Sequence, residues 1–365
     1  MKQKPKRTKL SPATFQLLGW YLVVVGGLIG IALLAHLVAG WKLMFPSLVA
    51  AAVKGVATEA ESSSPLLVAR VIGGELVPPD RAAESPVGVM IENLPTTRPQ
   101  SGLGAARLVY ETLAEGGVTR FLAVVYPSDL SGKIGPVRSA RHYYVDWIEE
   151  LGLPYAHAGG SPQALQQIAR DQVADVNGIG NAWRYFWRDH QRSAPHNLFT
   201  DGEHLIQALR ELGLNARPGL ASWAFADPPP SRPEATATTI EVDFSGQAYT
   251  VRYEYDQAGN RYRRFNGGQP HLDRSTDQQL SATNVVVQFV ARPTSLGEKG
   301  RIDIQTTGQG RALVFNHGTV TEGIWKKSSV PERTQFFGVD GSPVTFNRGA
   351  TWIAVVPDDR AVSFR

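Results

Sequence analysis

The 365-residue sequence contains no cysteine. That excludes disulfides, thiol chemistry, thiolate metal sites and lipid attachment through a cysteine. An exported chain without disulfides is stabilised by its core, and 42% hydrophobic residues supply one. Acidic residues are missing from the first fourteen positions, which hold Lys2, Lys4, Lys6, Arg7 and Lys9. Taking those five charges from the formal +4 of the chain leaves −1 for the remainder. The basic balance therefore belongs to the tail and gives no argument for nucleic acid as a partner. The patterns H-E-x-x-H and G-x-S-x-G are also absent.

Charge is absent again from residues 17–39, where only Trp20, Tyr21 and His36 depart from aliphatic and small types. A helix of that length crosses a hydrocarbon core of roughly 30 Å at about 1.5 Å per residue. It is longer than the apolar stretch of a cleavable signal peptide, roughly 7–15 residues. Lys42 and Lys54 are the only positive charges in the thirty residues after it, so the N-terminus is expected inside and the body outside. The organisation expected is a basic cytoplasmic tail (1–14), a transmembrane anchor (15–40), a juxtamembrane segment and loose tether (41–85) and a first domain (86–226). A proline-rich linker (227–238) and a second domain (239–365) complete it.

The first domain reads as mixed α/β. Residues 86–92 form a buried strand, and 107–113 and 118–126 form two more joined at Glu115-Gly116-Gly117, a hairpin signal. A helix follows Ser139 and ends at Gly152, and Pro154–Gly159 is a short strand. Ser161-Pro162 opens another helix, and T-x-x-E at Thr200 caps a third that ends at Gly213. The second domain alternates as strands over residues 239–356, with turns at Gly259-Asn260, Gly267-Gly268, His317-Gly318 and Asp340-Gly341. The fold class expected is α+β: a layered α/β domain and an antiparallel β-rich domain, preceded by one transmembrane helix.

Candidate chemistry lies between Glu92 and Asn197. Residues 131–141 (SGKIGPVRSAR) place two glycines and a proline before a helix N-terminus, among Lys133, Arg138 and Arg141. Free backbone N–H groups, the helix dipole and guanidinium forks favour a phosphate or carboxylate there, with Ser139 at the cap. The alternative is that these arginines pair with Glu92, Glu111 or Glu115 to fix loops. Arg98 lies in the loop from Asn93 to Gln100 at a strand end, and Arg120 lies just after the Gly-Gly turn. Glu111 and Glu115, four apart, can share a face; two of the three glutamates converging in a cleft would allow acid/base work on a glycosidic bond. His157 and His196, the latter followed by Asn197, are further acid/base candidates beside a structural reading. With Asp189 they suggest metal ligation, but the spacing is not diagnostic. Trp183, Tyr185, Phe186 and Trp187 suit either sugar stacking or a core patch beneath a loop. Neither a cofactor nor a metal is expected.

The runs VMIENLPTTRPQSGL, ARLVYETLAEGGVTRFLAVVYP, IGPVRSARHYY and APHNLF resemble the N-terminal domain of the YerB-like bacterial lipoprotein family, catalogued as of unknown function. GQGRALVFNHGTVTEGIWKK and NRGATWIAVVP resemble its C-terminal domain. The resemblance covers about residues 86–357. It implies a mixed α/β domain followed by a β-rich one and no established activity. It carries over to Glu92, Asn93, Arg98, Gln100, Tyr110, Glu111, Glu115, Arg120, Arg138, Arg141, His157, Pro195, His196 and Asn197. Lipoprotein members differ in their anchor, for which the apolar segment here substitutes. The expected function is an extracytoplasmic membrane-anchored protein that binds an anionic envelope component through Asn93, Arg98, Gln100, Arg120, Arg138, Ser139, Arg141 and Asn197. The alternative is a glycan-acting envelope hydrolase using Glu92, Glu111, Glu115, His157 or His196.

Overall fold

The computed structural model describes residues 66–216, 222–229 and 234–365, and His36 besides. The tail, the expected anchor at 15–40 and the first part of the tether lie outside the described residues. Among the described residues no helix is long and apolar enough to cross a membrane. One compact unit runs from Leu67 to Arg365.

Its first half contains β1 (Val87–Glu92), β2 (Leu108–Leu113), β3 (Thr119–Val125), α1 (His142–Leu151), β4 (Tyr155–His157), α2 (Pro162–Arg170), β5 (Asp175–Asn177), β6 (Leu198–Asp201) and α3 (Gly202–Leu212). The second contains β7 (Thr239–Asp243), β8 (Thr250–Asp256), β9 (Arg261–Asn266), β10 (Asn284–Val290), β11 (Gly308–Asn316), β12 (Thr319–Lys327), β13 (Gln335–Gly338), β14 (Thr351–Pro357) and β15 (Val362–Phe364). A ten-stranded sheet runs β13-β12-β11-β10-β14-β2-β3-β1-β4-β5, and a smaller sheet holds β9-β8-β7-β15.

The large sheet runs through the expected boundary at 227–238. Strand β14 pairs parallel with both β10 and β2, so strands from either side of the proline-rich segment are neighbours in one sheet. The same two pairings make the second half mixed rather than purely antiparallel. Strands β1, β2, β3, β10 and β14 are buried at every residue. That accounts for their unbroken apolar runs, which mark strands covered on both faces. Gly88 of β1 faces helix α1, where a Cβ would lie 2.2 Å from Ile148 Cδ1, so a larger residue there would require that side chain to shift.

Caps moved by one or two residues. Helix α1 has Arg141 at its N-cap with no side-chain cap, not Ser139. Helix α3 is capped by Asp201, whose carboxylate accepts from His204 N, because the Thr200 hydroxyl donates instead to Tyr185 O. Ser161 caps α2 as expected, and Gly152 and Gly213 take left-handed C′ positions. The end of the tether is also folded. Arg70 is buried over the Tyr126 ring and paired with Asp129, and Ile72 N donates to Tyr126 Oη.

Candidate functional site

Three loops meet at the ends of β1 and β3: residues 93–101, 131–141 and 189–197. Each contains a cis proline bond (Arg98-Pro99, Gly135-Pro136, Ala194-Pro195). The middle loop is not the anion-binding turn expected. Residues 135–138 run extended beside β1, and their amides are consumed: Gly135 N by Ser101 O, Val137 N by Leu198 O, Arg138 N by Met90 O. Ala140 N likewise donates to Gly159 O. No nest of free N–H groups remains among these positions, and Ser139 contributes its carbonyl to Arg120 and Arg141.

The arginines pair with the glutamates. Glu92, 3% exposed, places Oε1 at 3.1 Å from Arg138 Nε and Oε2 at 2.8 Å from His196 Nδ1. Arg138 Nη1 donates to Pro195 O, and among the described residues no hydrogen bond involves Nη2 or the Nε2 of His196. Glu92 faces Arg120 across the β1–β3 ladder. Arg120 donates to Ser139 O and pairs with Glu115, which also takes both Arg141 Nε and Arg141 Nη2. Burial pushes Glu115 up, but Arg141 and Arg120 outweigh it and hold the carboxyl below the usual range.

Glu111 belongs to a different place. Its Oε1 accepts from Thr119 Oγ1 at 2.7 Å and Asn93 Nδ2 at 3.2 Å, and its Oε2 takes Arg264 Nη2 at 2.6 Å. Arg264 is 1% exposed, lies 4.4 Å from the Trp352 ring centroid and donates through Nε to His271 Nδ1 at 3.0 Å. His271 therefore keeps its proton on Nε2, which faces Gln100 Oε1 at 2.8 Å. Burial first, then Arg264 and Arg98, hold His271 well below the usual imidazole range, so it is neutral. Asn93, fully buried, is the hub. Its Oδ1 accepts from Arg98 Nε, Gln100 Nε2 and Asn266 Nδ2 at 2.9, 3.0 and 3.0 Å.

The expected carboxylate pair is thus not formed: Glu92, Glu111 and Glu115 each close on separate cations, and the turn after β2 turns Glu115 away from Glu111. His157 is wholly buried between Gly159 O and Asp175 Oδ1 and touches none of the three. Asp189 pairs with Lys133, so it joins neither histidine in a metal site. Asn197 braces its own loop, donating to Asp189 O and Arg192 O and accepting from Arg188. Tyr185 and Phe186 are core residues, whereas Trp183 is 66% exposed.

Sequence reasoning missed Arg264, His271 and Asn266 in the second half and Arg192, which donates to Thr97 O and Pro99 O. A signal existed for two of them. In β9 the buried positions are Tyr262, Arg264 and Asn266, with Arg261 and Arg263 exposed, so polar residues occupy the inward phase of an alternating strand.

Residues 72–215 match the model of the DUF3048 N-terminal domain, a protein of unknown function, and residues 240–353 match its C-terminal domain. The chain is 33% identical over 283 residues to the Bacillus subtilis protein named "Putative lipoprotein YerB", covering 76% of this chain and 83% of the relative. The crystal structure of the Bacillus subtilis YerB protein superposes with a TM-score of 0.70 at 30% identity, covering 83% of this chain and all of that one. The chain belongs to the YerB-like DUF3048 family.

Proposed function

We propose that this chain is an extracytoplasmic, membrane-held binding module that takes an anionic group of the cell envelope, phosphate or carboxylate, at the Glu92 site. Uncompensated charge carries the reading. Arg120, Arg138, Arg141 and Arg192 supply four guanidinium groups against the two carboxylates Glu92 and Glu115, a surplus of two. Carbonyl partners orient Arg192 without neutralising it, so the field stays positive. Arg138 Nη2 and His196 Nε2 supply unused hydrogen-bonding atoms beside each other's shared partner. The envelope location rests on the basic tail, the apolar segment 17–39 and the lipoprotein name of the relative.

The test is calorimetric titration of the full chain with inorganic phosphate, a glycerol-phosphate polymer and polyglutamate. Saturable, salt-sensitive binding is expected, weakened at least tenfold by Arg138→Ala and retained or strengthened in Glu92→Gln, which removes the competing carboxylate. Binding unchanged in Arg138→Ala, or no saturable binding by the folded chain, refutes the reading.

One observation favours a hydrolytic reading: Glu92 orients His196 through Nδ1, leaving Nε2 outward as a base with Arg138 beside it. Turnover of envelope glycan or peptide abolished by His196→Ala and restored by no added anion would establish it. Absence of turnover leaves binding.

A further inference from the structure

A second cavity, of about 350 Å³, lies where the 93–101 loop of the first half meets the β9 turn of the second. It is separate from the Glu92–His196 pair, neither of which lines it. Pro95, Pro99, Pro270 and Leu272 form apolar walls, and Arg98 and Asn266 are polar members of the lining. Its volume is at the small end of ligand sites, with few polar groups on an apolar surface.

Of the polar lining residues Arg98, Asn266, Gln269 and His271, the first two are complementary in kind. Arg98 uses three of its five N–H groups, on Asn93 Oδ1, Ala248 O and Asn93 O. One N–H is left on each of Nη1 and Nη2, the pair a carboxylate takes in bidentate fashion. Arg98 has no carboxylate among its partners in the described residues. Asn266, 4% exposed, spends its Nδ2 on Asn93, while its Oδ1 is buried without any hydrogen-bond partner. A buried acceptor left unpaired costs about 1–3 kcal/mol, which a ligand donor would recover. His271 is on the floor of the cavity but has both ring nitrogens engaged, so it supplies shape and no further polarity.

We infer that this cavity binds an N-acylated α-amino carboxylate, the chemistry of a peptide C-terminus with a small apolar side chain. The carboxylate takes the free Arg98 fork, the amide N–H reaches the unpaired Asn266 Oδ1, and the side chain packs on the proline and leucine walls. A phosphate monoester offers Arg98 a charge but has neither an N–H for Asn266 nor an apolar group for the walls. The Glu92 site and this cavity are independent, so either can fail alone.

The experiment is titration of the full chain with acetyl-dialanine as free acid and as C-terminal amide. The acid is expected to bind saturably and the amide at least tenfold more weakly. Leu272→Trp, a change at a residue 36% exposed that fills the cavity without touching the buried network, should abolish the acid's binding. Arg138→Ala should leave it intact. Equal affinity for acid and amide, full binding in Leu272→Trp, loss in Arg138→Ala, or no binding by the folded chain each overturns the inference.

Discussion

Glu150 offers the sharpest test of how the halves are joined. Its side chain, in α1, has no exposure and is held by Lys327 Nζ at 2.6 Å, by Arg333, by Tyr110 Oη at 2.7 Å and by Thr334 Oγ1 at 2.7 Å. Lys327 is equally buried, and Arg333 is 5% exposed, so two cations share one carboxylate inside the sheet. Glu150→Gln keeps the shape and leaves both cations unmatched, for which an expected loss is about 3–5 kcal/mol. Lys327→Met removes the surplus cation and leaves a balanced Glu150–Arg333 pair. Its expected cost is about 1–2 kcal/mol, from the lost bonds of Nζ to Glu150 and to Val330 O at 2.8 Å, offset by not burying the charge. Burial pushes Glu150 up, but Arg333 and Lys327 prevail and lower it below its ordinary 4.5. A group with a depressed folded value contributes stability that is present above its unfolded value and lost as pH falls through the folded one. Stability should therefore drop on acidification below about pH 4.5, and the Glu150→Gln protein should show a shallower acid limb. Urea unfolding by circular dichroism at several pH values measures both. Lys327→Met costing as much as Glu150→Gln, or identical acid limbs, refutes the charge accounting.

Arg141→Ala should raise the Glu115 carboxyl towards or above the ordinary range, since burial then acts with only Arg120 opposing it; carboxyl-selective NMR titration reads the shift. Because the chain has no native cysteine, Gln3→Cys and Ser295→Cys give clean single labels, and a membrane-impermeant maleimide on intact cells should label only the second. A chain ending before residue 227 should not fold stably, because it strips β14 from β2 and exposes a fully buried strand edge; protease resistance comparable to the full chain would contradict this.

The strands were legible because burial on both faces leaves continuous apolar runs, as in β3 and β14, and because glycines mark turns and helix ends. Which strands are neighbours was not legible. Pairing β14 with β2 joins positions 351 and 108, and no local pattern encodes a partner so distant. The proline-rich segment looked like a boundary, yet the sheet continues past it. Glu92, Arg98, Arg138 and His196 stand out in the sequence because charged and titratable residues at strand ends do so. Their pairing was found only as an alternative, because a turn with two glycines and a proline suggests free amides until the neighbouring strand that consumes them is known. The inward phase of Arg264 in β9 sets it apart from its exposed neighbours Arg261 and Arg263.

These corrections change what the site is. Lys133, Arg138 and Arg141 around a helix N-terminus with free amides would form a soft, solvated anion cradle that orders on binding. The structure instead has Asn93 taking three donors, Arg192 clamping Thr97 and Pro99, and Glu92 fixing both Arg138 and His196. Side chains already locked lose little entropy when a ligand arrives, so the few atoms left unpaired direct where the surplus charge acts. Arg138 Nη2, His196 Nε2, the Arg98 fork and Asn266 Oδ1 are such atoms. Arg98 sits on the loop that follows β1, and Asn266, from β9, donates to Asn93 at the start of that loop. The Arg98–Asn266 cavity therefore exists only when both halves are present, a physical reason for the two family domains to occur together in one chain.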